Sequence, residues 1–168
     1  MNMKPARGTI LRTDPEHCTL SFERRLAAPT ERVWAALTDP AQLGGWLADS
    51  TVDLRVGGRI LHEFDPDDAG SRVDGTILAL DPPRTLEYEW RFLGETDSVL
   101  RYDLVADGDG TRLTLTHRML GTDQAAGYGA GWHTYLDALG ALIAGSDAGD
   151  WGSGYAALLP DYTAALKA

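Results

Sequence analysis

The chain has 168 residues, of which 43% are hydrophobic and 24% charged, the proportions of one soluble globular domain rather than a disordered chain. No apolar run approaches the ~20 residues that a membrane-spanning helix needs. Its formal charge of −10 opposes phosphate backbones and anionic lipid, so neither nucleic acid nor a membrane is expected as a partner.

The first seventeen residues mix Pro5, Gly8, Asp14 and Pro15 and read as a lead-in, with Ile10 and Leu11 able to form a short edge strand. Met1-Asn2-Met3-Lys4-Pro5 lacks the apolar stretch of a secretory leader. With Cys18 as the single cysteine, internal disulfides are excluded, and a reducing cytoplasmic setting is expected. Leu20, Phe22 and Leu26 then share one face of a strand over 19–27. Pro29-Thr30-Glu31 opens a helix in which Thr30 is expected to cap, and Val33, Trp34 and Leu37 form its apolar stripe. Asp39 is placed to cap a second short helix that begins with Pro40 and runs to Trp46-Leu47.

From Thr51 the pattern is of strands. Val52, Leu54 and Val56 alternate up to a Gly57-Gly58 turn, and Ile60, His62 and Phe64 alternate back. Val73, Ile77 and Leu78 make an imperfect strand that suggests a bulge. After the Asp81-Pro82-Pro83-Arg84 turn, Leu86, Tyr88 and Trp90 share a face, with Glu87, Glu89 and Arg91 opposite. Leu100, Tyr102 and Leu104 follow, then the Asp107-Gly108-Asp109-Gly110 hairpin and the returning Leu113, Leu115 and His117. A long helix carries Tyr128, Trp132, Tyr135, Leu136, Leu139, Leu142 and Ile143 at three- and four-residue steps, and Gly145 stops it. Trp151, Tyr155, Leu158, Tyr162 and Leu166 continue at helical spacing, with Pro160 expected to kink or split the segment.

The order is one strand, two short helices, six strands and a long helix, an α+β chain. Tightly connected strands pair antiparallel, and the long helix is the element large enough to cover the apolar face of such a sheet. A lead-in over 1–17, a domain over 18–145 and a helical extension over 146–168 are the expected units. A curved sheet around a helix leaves a hollow where curvature exceeds what the helix fills.

Familiar catalytic signatures are missing. Neither Ser146 nor Ser153 sits in a nucleophile elbow, and Gly127-Tyr128-Gly129-Ala130-Gly131 fails the dinucleotide spacing because Trp132 holds the third glycine position. Asp107 and Asp109 read as a turn rather than a calcium loop, and Asp65, Asp67 and Asp68 as a solvated loop, so no metal or cofactor is expected. Cys18 reads as an unreactive thiol. The chemistry-bearing residues that remain point inward. His62 and His117 lie on apolar strand faces, where each is either a hydrogen-bonded core histidine or a group facing a cavity. With Trp46, Phe64, Tyr88, Trp90, Tyr102, Tyr128 and Trp132 they form the expected lining of a pocket for an apolar, partly aromatic ligand.

The chain resembles the family of proteins similar to the activator of the heat-shock-protein-90 ATPase, within the superfamily of StAR-related lipid-transfer (START) and birch-pollen-allergen-like proteins. The landmarks run from Ala28-Pro29-Thr30-Glu31-Arg32-Val33-Trp34 and Trp46, through Val56-Gly57-Gly58-Arg59 and Leu80-Asp81-Pro82-Pro83-Arg84-Thr85-Leu86, to Gly108–His117 and Gly131-Trp132. The resemblance implies a helix-grip fold, seven antiparallel strands curved around the C-terminal helix with a cavity between them. It implies no catalytic residue. Binding of a hydrophobic small molecule is the leading expectation. A cyclase, dehydratase or hydrolase is the alternative, with His117 or His62 shuttling protons and Tyr88 or Tyr102 donating to a carbonyl. A stress-related interaction module, or a homodimer through the tail, is the third.

Overall fold

The computed structural model describes residues 7–167; the leader reading at Met1 to Pro5 lies outside the described residues. In chain order the elements are β1 (Thr9–Arg12), β2 (His17–Leu26), α1 (Thr30–Thr38), α2 (Pro40–Leu43), β3 (Asp49–Val52), β4 (Arg59–Glu63) and β5 (Arg72–Asp81). There follow β6 (Thr85–Trp90), β7 (Ser98–Asp107), β8 (Gly110–Gly121), α3 (Ala125–Ala144) and α4 (Trp151–Lys167). The strands form one antiparallel sheet in the order β1-β2-β8-β7-β6-β5-β4-β3. It has eight described strands rather than seven, because Ile10 and Leu11 lie in β1, paired with Leu20 and Thr19 at the sheet edge.

Period-two burial fixes which side chains face α3. Leu100, Tyr102 and Leu104 of β7, and Leu113, Leu115 and His117 of β8, are all buried on one face. The opposite face carries ion pairs, with Glu87 meeting Arg118 at 2.8 Å and Arg101 at 3.4 Å. The sheet bends at β5, whose register with β6 shifts between Ile77 and Ala79, so the expected bulge is present. Close to it, Gly75 passes so near β6 that a Cβ there would lie 1.8 Å from the Glu89 carbonyl oxygen.

Four local expectations are corrected. Pro29, not Thr30, caps α1: its carbonyl accepts from the Arg32 and Val33 amides, while Thr30 is already helical and makes no capping bond. Asp39 does cap α2, accepting from the Ala41 amide at 3.0 Å, but α2 ends at Leu43, and Trp46 is held beyond it by its Nε1–H donating to the Ala36 carbonyl. The strand expected over Val52, Leu54 and Val56 stops at Val52. The Arg55 amide turns back to the Asp53 carbonyl and the Gly58 amide to that of Arg55, leaving Leu54 and Val56 exposed. Pro160 does not split the segment, because it sits inside a single α4. It and Ala156, the residue whose carbonyl loses its helical donor, are both on the exposed face, where water can satisfy the free acceptor.

The left-handed Gly145, at φ 71°, closes α3 as its sequence position suggests. Beyond it, α4 lies along α3 with Tyr162 fully buried, and reaches β1, where the Gly8 amide donates to the Tyr162 hydroxyl. No helix among the described residues is long and apolar enough to cross a membrane.

Candidate functional site

Between the middle of the sheet and α3 the interior is filled by aromatic rings and two directed hydrogen-bond chains. The Trp132 Nε1–H donates to His117 Nδ1 at 2.9 Å, so a neutral His117 carries its proton on Nε2 and donates it to Ser98 Oγ at 2.7 Å. Ser98 in turn donates toward the Trp90 carbonyl. His62 is held in the same way: Ser50 donates to the Ala48 carbonyl and so accepts from His62 Nδ1–H at 2.7 Å, while Nε2 accepts from the Tyr88 hydroxyl at 2.9 Å. Burial pulls the His62 ring down to about 4 and His117 to about 3, and holds the Tyr88 and Tyr102 hydroxyls well above the ordinary phenol range. Trp90 packs against both neighbours, its ring centre 5.3 Å from that of Trp132 and 5.4 Å from that of His117.

Next to this filled layer, at the start of α3, a cleft of about 480 Å³ opens to solvent. Trp90 and Trp132 form its floor, and Phe64 and Phe92 come from the sheet side. Tyr128 and Tyr135 project from α3 seven residues apart, two turns along one helix face. Trp151 and Tyr155, one turn apart on α4, close the far side as a stacked pair with ring centres 5.1 Å apart. Two glycines keep the α3 wall low. Gly127 and Gly131 are one turn apart, and a Cβ on Gly131 would meet no atom within 4 Å, because it would project into open space. Gly129, between them, faces the other way, onto the Tyr162 ring.

The polar groups of the cleft form a third directed chain. The Trp90 indole N–H donates to the Tyr128 hydroxyl at 2.9 Å, and Tyr128 donates to the Glu95 carboxylate. Burial raises the half-buried Glu95 carboxyl, the Tyr128 bond lowers it, and neighbouring Asp123 raises it again, for a net upward shift. Burial likewise pushes Tyr135 up to about 12.

Of the residues expected to line a pocket, Phe64, Trp90, Tyr128 and Trp132 meet in this cleft. His62, Tyr88, Tyr102 and His117 lie beside it in the packed interior, and Trp46 borders a separate depression under the α3–α4 connection, with Tyr135, Leu142 and Trp151. Glu95, Phe92, Tyr135, Trp151 and Tyr155 line the cleft as well. Tyr135, Trp151 and Tyr155 carry a signal, since they continue the aromatic helical spacing begun by Tyr128 and Trp132. Glu95 sits in the β6–β7 loop, where no periodicity marks it.

An antiparallel sheet closed on a long C-terminal helix, with a ligand-sized aromatic cleft at the helix start, defines an α+β helix-grip protein. Residues 27–144 match the family described as Activator of Hsp90 ATPase homolog 1-like protein, and the chain belongs to that family. Among solved structures, the crystal structure of CalU16 from Micromonospora echinospora is similar at 29% identity and a TM-score of 0.79, over 96% of this chain and 99% of that one. MLL2253 from Mesorhizobium loti is also 29% identical, with a TM-score of 0.68 over 77% of this chain and 98% of its own. DynU16, a protein in the dynemicin biosynthetic locus, shares the fold at 23% identity and a TM-score of 0.66, over 77% of this chain and 49% of that one. No curated protein matches the chain.

Proposed function

We propose that this protein binds an apolar, partly aromatic small molecule in the cleft between the start of α3 and α4. The observation that carries the reading is the cleft of about 480 Å³, walled by aromatic rings and kept open where Gly131 lacks a side chain. Flat aromatic walls with few polar atoms favour a ligand held by stacking and oriented by one or two hydrogen bonds. The family match over residues 27–144 and the likeness to CalU16 support the fold in which this cleft lies. A chain so acidic is a poor partner for nucleic acid, and Tyr162 of the tail is already buried against Gly129 of α3, which leaves homodimerisation the weaker use of α4.

Plugging the cleft tests this. Gly131→Phe, made in the full chain, is expected to fold and to lose the thermal-shift and native-mass signals that neutral aromatic compounds such as 2-naphthol give with the unaltered protein. Undiminished binding by a folded Gly131→Phe variant would place the ligand elsewhere.

The Glu95–Tyr128 pair favours a second reading, a polyketide cyclase-like activity in which Glu95 takes a proton and Tyr128 supplies one to a carbonyl oxygen. His62 and His117 fit that role less well, because protonating either ring would break a hydrogen bond it accepts in a fully buried site.

A further inference from the structure

The charge inside the cleft is one-sided. Glu95 and Asp123 both line it, and no Lys, Arg or His is among its described lining residues. Half-buried Glu95 accepts from Tyr128 but has no ion-pair partner among the described residues, although many carboxylates elsewhere in the chain meet an arginine. A carboxylate withdrawn from water without a counter-charge is costly to hold ionised, and its upward shift reflects that cost.

A second feature points the same way. At the rim, the oxygens Asp123 Oδ1, Gln124 Oε1 and Thr96 Oγ1 crowd one point, lying 2.8, 3.1 and 3.2 Å from where a Cβ on Gly121 would be. Gln124 Oε1 is buried and has no hydrogen-bond partner among the described residues. Acceptor oxygens thus gather beside the cleft, whose lining includes the electron-rich rings of Tyr128, Trp151 and Tyr155 over a floor of Trp90 and Trp132. Ring faces attract cations through their quadrupole, most strongly where water is excluded.

Resting on the reading of the cleft as a ligand site, we propose that its ligand is cationic: an apolar, aromatic-sized body bearing an alkylated ammonium group, with the cation against the ring faces beside Glu95. The ammonium supplies the counter-charge that Glu95 lacks, and its N–H groups, where it has them, suit the exposed carboxylate of Asp123. An anionic ligand of the same shape would face two carboxylates.

Three probes of one shape separate this claim from the one it rests on: 2-naphthylmethyltrimethylammonium, its neutral isostere 2-neopentylnaphthalene, and anionic 2-naphthylacetate. Equilibrium dialysis at pH 7.5 is expected to show the cation binding at least tenfold tighter than the neutral probe, and the anion weakest. In Glu95→Gln, which keeps an acceptor for Tyr128, the cation is expected to weaken at least fivefold while the neutral probe stays within twofold. A neutral probe that binds as tightly as the cation, or a cation indifferent to Glu95→Gln, overturns the cationic ligand and leaves the cleft reading intact. If none of the three binds, the cleft reading itself fails and the cationic ligand with it.

Discussion

Two glycines on one helix, two residues apart, face opposite surroundings and predict opposite effects of the same substitution. At Gly131 an added methyl meets nothing within 4 Å, so Gly131→Ala is expected to gain roughly 0.5–1 kcal/mol from helix propensity. At Gly129 the methyl would lie 2.5 Å from Cδ1 of the buried Tyr162 ring, and Gly129→Ala is expected to lose ~1–3 kcal/mol despite the same propensity gain. Urea unfolding of both variants measures the two signs, and equal effects would contradict the placement of α4. The buried histidines give a prediction in pH. Above their ordinary value of 6.5 both rings are neutral folded or unfolded, so they leave stability unchanged there. Below it the unfolded chain takes up protons that the folded rings refuse. Stability should therefore fall from pH 6.5 downward, by at most about 1.4 kcal/mol per pH unit for each ring, levelling near 4 for His62 and 3 for His117. Ring-proton NMR shifts of both residues should stay at their neutral positions at pH 5, and a midpoint near 6.5 for either would refute the packed interior.

Among the elements, β5 carries the bulge between Ile77 and Ala79 and, just before it, the closest approach to β6. Gly75→Ala would drive a methyl against the Glu89 carbonyl, a backbone atom that can yield only by displacing β6, so a loss of ~3 kcal/mol or more is expected in urea unfolding. A change below about 1 kcal/mol would mean that the two strands do not approach so closely. The elements legible in the sequence were those in which period and burial agree: β6 through Leu86, Tyr88 and Trp90, the β7–β8 hairpin at Asp107–Gly110, and α3 up to Gly145. Misread elements share a different cause. Val52, Leu54 and Val56 alternate correctly, but local turn bonds at Asp53 and Arg55 hold the last two outside the sheet. Pro160 broke the pattern in sequence without breaking the helix, because its missing N–H frees a carbonyl on a face that meets water.

At the scale of the whole molecule, the sequence located the aromatic face but not the boundary between its packed and open parts. Tyr88, Trp90, Tyr102 and His117 fall on the apolar faces of their strands by period alone, and Trp132 meets them from α3. Which of them reach the cleft depends on where α3 leans on the sheet, and on Trp151 and Tyr155 arriving from α4, a tertiary arrangement that no local pattern encodes. The Gly127–Gly131 run that fails as a dinucleotide motif has its explanation in the same place, with two glycines lowering the cleft wall and one seating Tyr162. The central claim is that a ligand enters beside the filled interior, between α3 and α4. The chain's five tryptophans report on it directly, since Trp90, Trp132 and Trp151 line the cleft and Trp34 and Trp46 do not. In a titration with 2-naphthol followed by the indole N–H signals in a ¹⁵N–¹H correlation spectrum, the Trp90 and Trp151 signals are expected to move most and that of Trp34 to stay fixed. Movement centred on Trp34 and Trp46, with Trp90 and Trp151 unchanged, would contradict the account.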